Sequence, residues 1–210
     1  MRATAAAAAQ ALGCLRNQVF VASTGVIGEP LPLNRLTRAM PQMVEALAPG
    51  GWGAAARAIC TTDTFIKGAW RRCEIDGHEI TLGGIAKGSG MIAPNMGTML
   101  AFLFTNARIP SAALQAMLRA SVETSFNSIT VDSDTSTSDT VLLVATGRSN
   151  HPPLNSPHDP KLRDFRRALD EVMVELATQV VRDGEGASKF VTIEVSGASS
   201  WRMARRVGLS

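Results

Sequence analysis

The sequence predicts a layered α/β protein in which helices pack against a sheet of buried strands. Three kinds of segment predict this class: long helices with one apolar face, continuous apolar runs of strand length, and a hairpin with a two-residue turn. The chain has 210 residues, of which 45% are hydrophobic and 19% are charged. This length suffices for one good-sized domain or two small ones, and the composition is typical of a folded globular protein.

The N-terminal part of the chain is predicted to contain two helices with a short strand between them. Residues 3–12 are rich in alanine, the strongest helix former, and the following Gly13 is suited to a C-cap. Residues 19–22 are an apolar run of strand length. A second helix is predicted over residues 34–48, with Asn34 as its N-cap, because apolar residues recur there at spacings of three and four.

Strands and helices are predicted to alternate along the rest of the chain. Asp76-Gly77 has the composition of a two-residue hairpin turn, and residues 83–90 are predicted to be a glycine-rich loop. A long helix is predicted after its cap Asp159, with Pro160 at its first position. The other predicted elements are buried strands over residues 99–105 and 140–146, a helix over residues 111–123 and a last strand over residues 189–195.

Charge, aromatic content and cysteine spacing disfavour several classes of function. The net charge is only +3 and the chain has no tyrosine, so we predict no nucleic-acid partner. Cys14, Cys60 and Cys73 form no CxxC pair, which predicts neither a metal site nor a disulfide framework and fits a reducing, cytoplasmic location. No run of about 18 apolar residues is present, so no membrane-spanning helix is predicted.

Four segments place glycines and polar residues where apolar packing is expected. Residues 88–90 lack the order of a phosphate-binding loop, and the aspartates of the fourth segment lack the glycine and glutamate of a calcium loop. The run from Asp132 to Asp139 is therefore predicted to be a structural, hydrogen-bonded turn and not a site. Taken singly, Thr98 can be a strand-start threonine, Lys87 a loop lysine and Glu185 an exposed helix-end carboxylate. The four segments are residues 23–28, 61–64, 83–100 and 129–140.

Six motifs taken together resemble the ornithine acetyltransferase (glutamate N-acetyltransferase) family. The most specific is Gly-Ile-Ala-Lys-Gly-Ser-Gly-Met-Ile-Ala-Pro-Asn-Met at residues 84–96. All six follow the family's order at about its spacing. The resemblance implies an αββα-type sandwich of the ornithine acetyltransferase / DmpA-like class, here incomplete. The other motifs lie at residues 22–32, 61–64, 125–127, 130–137 and 184–187.

The resemblance also implies roles for individual residues. The precursor would cut itself between Gly97 and Thr98, leaving fragments 1–97 and 98–210, and Thr98 would then be the nucleophile. Its freed α-amino group, with a reference pKa of about 7.7 to 8, can serve as the base that a hydroxyl nucleophile needs. Thr24 and Gly25 would form the oxyanion hole. The implied substrate contacts are Thr64, Lys87, Thr98 and Glu185.

The implied activity is glutamate N-acetyltransferase of arginine biosynthesis, in which N-acetylornithine donates its acetyl group to Thr98 and glutamate accepts it. No cofactor and no metal are implied, although acetyl-CoA is an optional donor. The implied partners are these small amino-acid substrates and the two fragments themselves, assembled as a heterotetramer, with no nucleic acid and no membrane.

Two alternatives remain beside this activity. Members of the family are about twice as long, and the chain is expected to lack their opening strands and a C-terminal region that contributes an Asn and a hydroxyl residue to the pocket. One alternative is therefore a truncated, catalytically inactive remnant. The other is a Thr-nucleophile amidase or aminopeptidase on the same fold, with water as the acceptor.

Overall fold

In the computed structural model of this chain, which describes residues 1–93, 96–134, 136–154 and 156–210, helices pack on one face of a four-stranded sheet. The chain divides into two units, Met1–Ala55 and Ala56–Ser210. The sheet and its helices belong to the second unit. These two units differ from the predicted cleavage fragments 1–97 and 98–210, which concern a covalent cut and remain a prediction.

The N-terminal unit is helical. Helix α1 (Arg2–Leu12) ends at Gly13, which has a φ of 67°, as the predicted alanine-rich helix and its cap require. Helix α2 (Leu33–Glu45) begins and ends earlier than predicted, and Asn34 lies in its first turn. The Pro32 carbonyl accepts the amides of the third and fourth residues after it, so Pro32 is the N-cap and the prediction of Asn34 is wrong.

The described part of the chain contains six strands. They are β1 (Lys67–Ile75), β2 (His78–Lys87), β3 (Ile92–Ala93), β4 (Met96–Gly97), β5 (Leu100–Thr105) and β6 (Thr140–Ala145). The main sheet has the order β1-β2-β5-β6; its first two ladders are antiparallel and β5 pairs with β6 in parallel. Strands β3 and β4 form a separate antiparallel pair. The predicted hairpin is confirmed, since Asp76 and Gly77 have positive φ values of 52° and 77° between β1 and β2.

Two further helices complete the core on one face of the sheet. Helix α4 (Ser111–Glu123) links β5 to β6 and has the predicted bounds. Helix α5 (Arg163–Arg182) packs on β1 and β2 after a single 3-10 turn, and the Asp159 side chain caps that turn by accepting the Lys161 amide at 2.9 Å. The apolar face predicted for this long helix is almost completely buried at Leu162, Phe165, Leu169, Val172, Leu176 and Val180.

The predicted glycine-rich loop at residues 83–90 is wrong for its first half, because β2 continues to Lys87. Gly83 and Gly84 are strand residues that allow close approach by their neighbours. A Cβ at Gly83 would lie 2.2 Å from the Trp70 ring, and one at Gly84 would lie 2.2 Å from the Phe102 carbonyl oxygen. The glycines therefore serve sheet packing, and the loop begins only at Gly88.

Two predicted strands, at residues 19–22 and 189–195, are wrong, since neither segment pairs with a strand among the described residues. Phe20 is 78% exposed and Val191 is 70% exposed. Both segments have the residue types of strands, but a strand needs a partner that accepts and donates its backbone hydrogen bonds. Two helices were not predicted with these bounds: α3 (Trp52–Ile59) and α6 (Trp201–Gly208), the second of which falls in the basic tail.

No helix in the described ranges has both the length and the apolar character needed to cross a membrane. The described residues also contain no group of His, Cys, Asp and Glu side chains placed to hold a metal ion.

Candidate active site

The segment that follows β2 makes two sharp turns. Gly88 has a φ of 143°, and a Cβ there would lie 3.2 Å from the Ile92 side chain. Met91 has a φ of 53°, in the left-handed region that costs a residue with a Cβ about 1 to 2 kcal/mol. These turns lie between the end of β2 and the start of β3, and the predicted site residues Thr98 and Glu185 contact the segment between them.

A buried ion triad is hydrogen-bonded to this segment at Gly88. The Lys67 ammonium contacts the Asp63 carboxylate at 2.6 Å and the Asp183 carboxylate at 2.5 Å. The three side chains are 0%, 0% and 2% exposed. Burying such charges is costly unless each is paired and hydrogen-bonded, so the surrounding donors matter as much as the ion pairs.

The two carboxylates of the triad hold neighbouring loops through backbone amides. Asp63 accepts the amide of Gly88 at 2.7 Å, and Asp183 accepts the amide of Thr64 at 3.0 Å together with its hydroxyl. Burial by itself raises the pKa of each carboxyl, but the hydrogen bonds outweigh burial and both pKa values lie below the ordinary value. Both groups are therefore held as carboxylates, and Thr64 and Gly88 are fixed to the same ion triad.

Lys87 is the second buried lysine of this region, with only 3% of the residue exposed. Its ammonium donates a hydrogen bond to the Thr61 hydroxyl at 2.8 Å. Burial lowers the pKa of Lys87 from its ordinary value, and the nearby Asp63 carboxylate partly opposes this change. An ammonium has three N–H donors, and the hydrogen bond to Thr61 uses one of them. The other donors of Lys87 are suited to an anionic group.

Glu185 contacts the glycine-rich segment at Ser89 and Gly90. Its amide donates to the Ser89 carbonyl at 2.6 Å, and its carboxylate lies against Gly90, where a Cβ would be 2.5 Å from Oε2. The Ser89 hydroxyl, in turn, shares a hydrogen bond of 2.7 Å with Thr62. Glu185 is exposed, so its carboxylate is accessible from solvent while its backbone is fixed.

Thr98 is half-buried and contacts the same segment through its hydroxyl and its amide. Its hydroxyl donates to the Gly90 carbonyl at 2.9 Å, and its amide donates to the Met91 carbonyl at 3.2 Å. The predicted scissile bond lies directly after β4, whose last residue, Gly97, pairs with Ile92 of β3. Two residues of the most specific motif, Pro94 and Asn95, lie outside the described residues, as does Thr135 of the 130–137 motif.

Two aspartates of the 129–140 segment bind the backbone around Thr98. Asp132 accepts the amides of Met91 at 2.5 Å and Ile92 at 3.0 Å. Asp139 accepts the amide of Met99 at 2.8 Å, and desolvation by the surrounding protein raises its pKa to about 6. The structural turn predicted for this segment is thus tied to the residues on either side of the predicted cleavage point.

The structure places four predicted site residues on residues 87–91 or in contact with this segment or the ion triad, whereas two others belong to the other unit. Lys87 belongs to the segment 87–91, Thr98 and Glu185 contact it, and Thr64 contacts the ion triad through Asp183. Thr24 and Gly25 belong to the N-terminal unit, where Thr24 is half-buried and a Cβ at Gly25 would lie 3.3 Å from Leu31. Their role as oxyanion donors stays a prediction.

A cavity of about 570 Å³ adjoins this region without including it. It is lined by residues of α4 and by Met99 and Asp139, but none of Thr64, Lys87, Thr98 or Glu185 lines it. The cavity and the cluster around Thr98 are therefore separate features of the second unit.

Sequence reasoning missed the ion triad. The segment 61–64 was singled out for its polar residues. The spacing of four between Asp63 and Lys67 is the local feature of the sequence that indicates an ion pair there. Asp183 lies 116 residues after Lys67 and carries no signal of this contact. A fully buried lysine is rare unless it is paired, so the partner became evident only from the fold.

The fold and the cluster define a layered α/β protein in which a half-buried threonine hydroxyl, a buried ammonium and an exposed carboxylate surround one glycine-rich turn. This chain belongs to the ArgJ family, whose sequence profile matches residues 1–210. The resemblance found from the six motifs is thereby confirmed.

Two curated relatives align with nearly the whole chain, and about half of the aligned residues are identical. A protein of Rhizobium meliloti is 51% identical over an alignment that covers 100% of this chain. A protein of Gluconobacter oxydans is 52% identical over an alignment that covers 97% of this chain. Both are called "Arginine biosynthesis bifunctional protein ArgJ". The chain spans about half the length of the curated relatives it matches, namely 51% and 48% of these two.

A solved structure is also similar to this chain over part of its length. It is the arginine biosynthesis bifunctional protein ArgJ of Bacillus halodurans, with 40% sequence identity and a TM-score of 0.39. The similarity covers 43% of this chain and 41% of that one.

Proposed function

We propose that this chain carries the nucleophile of a glutamate N-acetyltransferase, which moves an acetyl group from N-acetylornithine to glutamate through an acetyl-Thr98 intermediate. The observation that carries the proposal is the double attachment of Thr98, by hydroxyl and amide, to the glycine-rich turn that also contacts Glu185. Membership of the ArgJ family supports the same reaction class, since its curated relatives are named for arginine biosynthesis.

Self-cleavage is the first step of the proposed sequence. The Thr98 hydroxyl oxygen attacks the Gly97 carbonyl carbon, the C–N bond breaks, and the nitrogen takes the proton that the hydroxyl loses. Water then hydrolyses the resulting ester and releases Gly97 as a carboxylate. The freed α-amino group of Thr98 acts as the base for later turnovers, because its reference pKa of about 7.7 to 8 suits proton transfer near neutral pH.

Two acyl transfers follow in the same pocket. The Thr98 oxygen attacks the acetyl carbonyl of N-acetylornithine, and ornithine leaves as the amine after receiving a proton. The α-amino group of glutamate then attacks the acetyl ester, and the Thr98 oxygen regains its proton. We propose that Thr24 and Gly25 stabilise the oxyanion of both tetrahedral intermediates, and that acetyl-CoA can replace N-acetylornithine as the donor.

Charge supports amino-acid substrates. The Lys87 ammonium is buried with N–H donors to spare and suits a substrate carboxylate. The Glu185 carboxylate is accessible and suits an ammonium group of the substrate. Thr64, fixed by Asp183, supplies a further polar contact. Ornithine and glutamate both carry an α-carboxylate and an α-amine, so one pocket can accept each in turn.

The sheet order supports continued association of fragments 1–97 and 98–210. Strands β1 and β2 belong to the first fragment, and β5 and β6 to the second. The antiparallel ladder between β2 and β5, in the centre of the sheet, would join the fragments after the cut. We propose a heterotetramer of two copies of each fragment. The three cysteines are free thiols, which suits a reducing compartment, and we propose the cytoplasm.

Mass analysis of the acylated enzyme tests this function. After incubation with N-acetylornithine and an acid quench, the peptide that begins at Thr98 is expected to carry one acetyl group. Adding glutamate before the quench should remove that group and form N-acetylglutamate. Loss of the acetyl group at the same rate without glutamate would instead favour a Thr-nucleophile amidase, and absence of any acetyl-peptide would overturn the proposal.

A further inference from the structure

We propose that Asp132 is a positioning residue for Thr98: its carboxylate holds Met91 in the left-handed conformation that presents the Gly90 and Met91 carbonyls to the nucleophile. This inference rests on the proposed function of Thr98. It assigns a role to an aspartate that the reaction scheme above does not use.

The contacts form a continuous chain from the carboxylate to the nucleophile. The two oxygens of Asp132 accept the amides of Met91 and Ile92 at 2.5 and 3.0 Å. The carbonyls of Gly90 and Met91 accept the hydroxyl and the amide of Thr98 at 2.9 and 3.2 Å. Met91 and the peptide bond that precedes it therefore connect the aspartate to the hydroxyl and the amide of Thr98.

Met91 is the residue whose conformation needs support. Its φ of 53° is unfavourable for a side chain with a Cβ. If Met91 adopted a negative φ, as residues with a Cβ ordinarily do, the Gly90 and Met91 carbonyls would rotate away from Thr98. A carboxylate that accepts two consecutive amides holds the turn, because hydrogen bonds to charged groups are stronger than those between neutral groups.

Strand β3, which follows the turn, holds the segment that contains Asp132 in place. The Val131 amide donates to the Ile92 carbonyl at 2.8 Å, and the Thr130 hydroxyl donates to the same oxygen at 3.1 Å. The Asp134 amide donates to Asp132 Oδ1 at 3.1 Å. The carboxylate is thus anchored on both sides and faces the Met91 turn with its acceptors already oriented.

Asp132→Asn tests the inference because asparagine keeps the size but replaces one acceptor oxygen with an NH2 donor. Backbone amide exchange is measured in a Thr98→Ala background, so that no cleavage occurs. We expect the amides of Met91, Ile92 and residue 98 to exchange about tenfold faster or more, the factor that corresponds to a lost hydrogen bond to a charged group. The matched control is Asp134→Asn, a neighbouring aspartate that is equally exposed and contributes only its backbone amide to this network, so all three amides should stay unchanged.

Met91→Gly separates positioning from a merely structural contact. Glycine adopts the left-handed region at no steric cost, so adding it to Asp132→Asn should restore slow exchange at residue 98. The amides of residues 91 and 92 should stay fast, because their acceptor is still altered. Unchanged exchange at residue 98 in Asp132→Asn, or no recovery in the double variant, would overturn the inference.

Cleavage rate in the Thr98 chain supplies the second readout. Asp132→Asn should slow cleavage at Gly97–Thr98, and Met91→Gly should recover part of the rate. If the unaltered chain does not cleave, the proposed function fails, while the exchange measurements still decide whether Asp132 positions residue 98. If the chain cleaves and Asp132→Asn cleaves equally fast, the proposed function stands and the positioning role is wrong.

Discussion

Lys67 and Asp183 lie 116 residues apart in the sequence, yet the lysine ammonium is 2.5 Å from the aspartate carboxylate, and their side chains are 0% and 2% exposed. Asp63 completes this ion triad at 2.6 Å. The triad joins the end of α5 to the loop before β1 and, through Gly88, to the turn that contacts Thr98. The stability of the second unit and the geometry of the candidate site therefore depend on the same three charges.

Replacing Lys67 with methionine should destabilise the fold strongly. The change leaves two buried carboxylates without their cation, and breaking a buried pair in this way costs about 3 to 5 kcal/mol. The free energy of unfolding in urea measures the effect. Lys161→Met is the control, because the Lys161–Asp76 pair at 2.9 Å is exposed to solvent and should contribute little to stability. If both variants lost the same free energy of unfolding, the buried triad would contribute no more to stability than an exposed ion pair does.

Stability should fall in acid because of Asp63 and Asp183. Their pKa values in the folded protein lie below the ordinary value, so each stabilises the fold above about pH 4. This contribution is lost as the pH falls from about 4 through the folded pKa values. Urea unfolding at a series of pH values should show the loss, and Asp183→Asn should have a shallower pH dependence. An identical slope in that variant would contradict this assignment.

Gly84→Ala should be destabilising because β2 and β5 lie too close there for a side chain. A Cβ at Gly84 would lie 2.2 Å from the Phe102 carbonyl oxygen, whereas one at Gly68 would meet its nearest atom at 3.6 Å. We expect Gly84→Ala to cost about 1 to 3 kcal/mol or more, and Gly68→Ala to cost much less. Thermal unfolding of both variants checks this. Similar melting temperatures would show that β2 and β5 can separate without cost.

Thr24→Ala should slow acyl transfer and self-cleavage without unfolding the protein. Loss of one preorganised oxyanion donor reduces rates by about 10² to 10³-fold. The rate of fragment formation is the measurement, with Ser23→Ala as the control that removes the neighbouring hydroxyl. A rate in Thr24→Ala that equals the rate in Ser23→Ala would remove Thr24 from the oxyanion hole.

Local patterns in the sequence predicted the elements whose structure depends on local interactions. The helix over residues 111–123, the Asp76-Gly77 turn and the buried face of α5 follow from periodicity and turn chemistry, and each is confirmed. The predicted strands at residues 19–22 and 189–195 failed because a strand depends on a partner, which composition does not reveal. The extension of β2 through Gly83 and Gly84 was missed because glycine is disfavoured in strands except where backbones or rings approach closely.

The candidate site was predictable where motifs mark it. Thr64, Lys87, Thr98 and Glu185 came from such motifs, and the structure connects them through one turn and one ion triad. The residues that hold them were not predicted. Lys67 and Asp183 had no local pattern that joined them, and Asp132 was interpreted as part of a structural turn. These supporting contacts are long-range, so only the fold reveals them.

The mass of the intact chain tests the central claim most directly. The protein is expressed as it stands, beside Thr98→Ala, which lacks the nucleophile, and Thr98→Ser, which keeps a hydroxyl. The proposed function predicts two fragments, 1–97 and 98–210, from the unaltered chain and from Thr98→Ser, and one uncut chain from Thr98→Ala. A single uncut chain in all three, or cleavage that persists in Thr98→Ala, would contradict the assignment of Thr98 as the nucleophile.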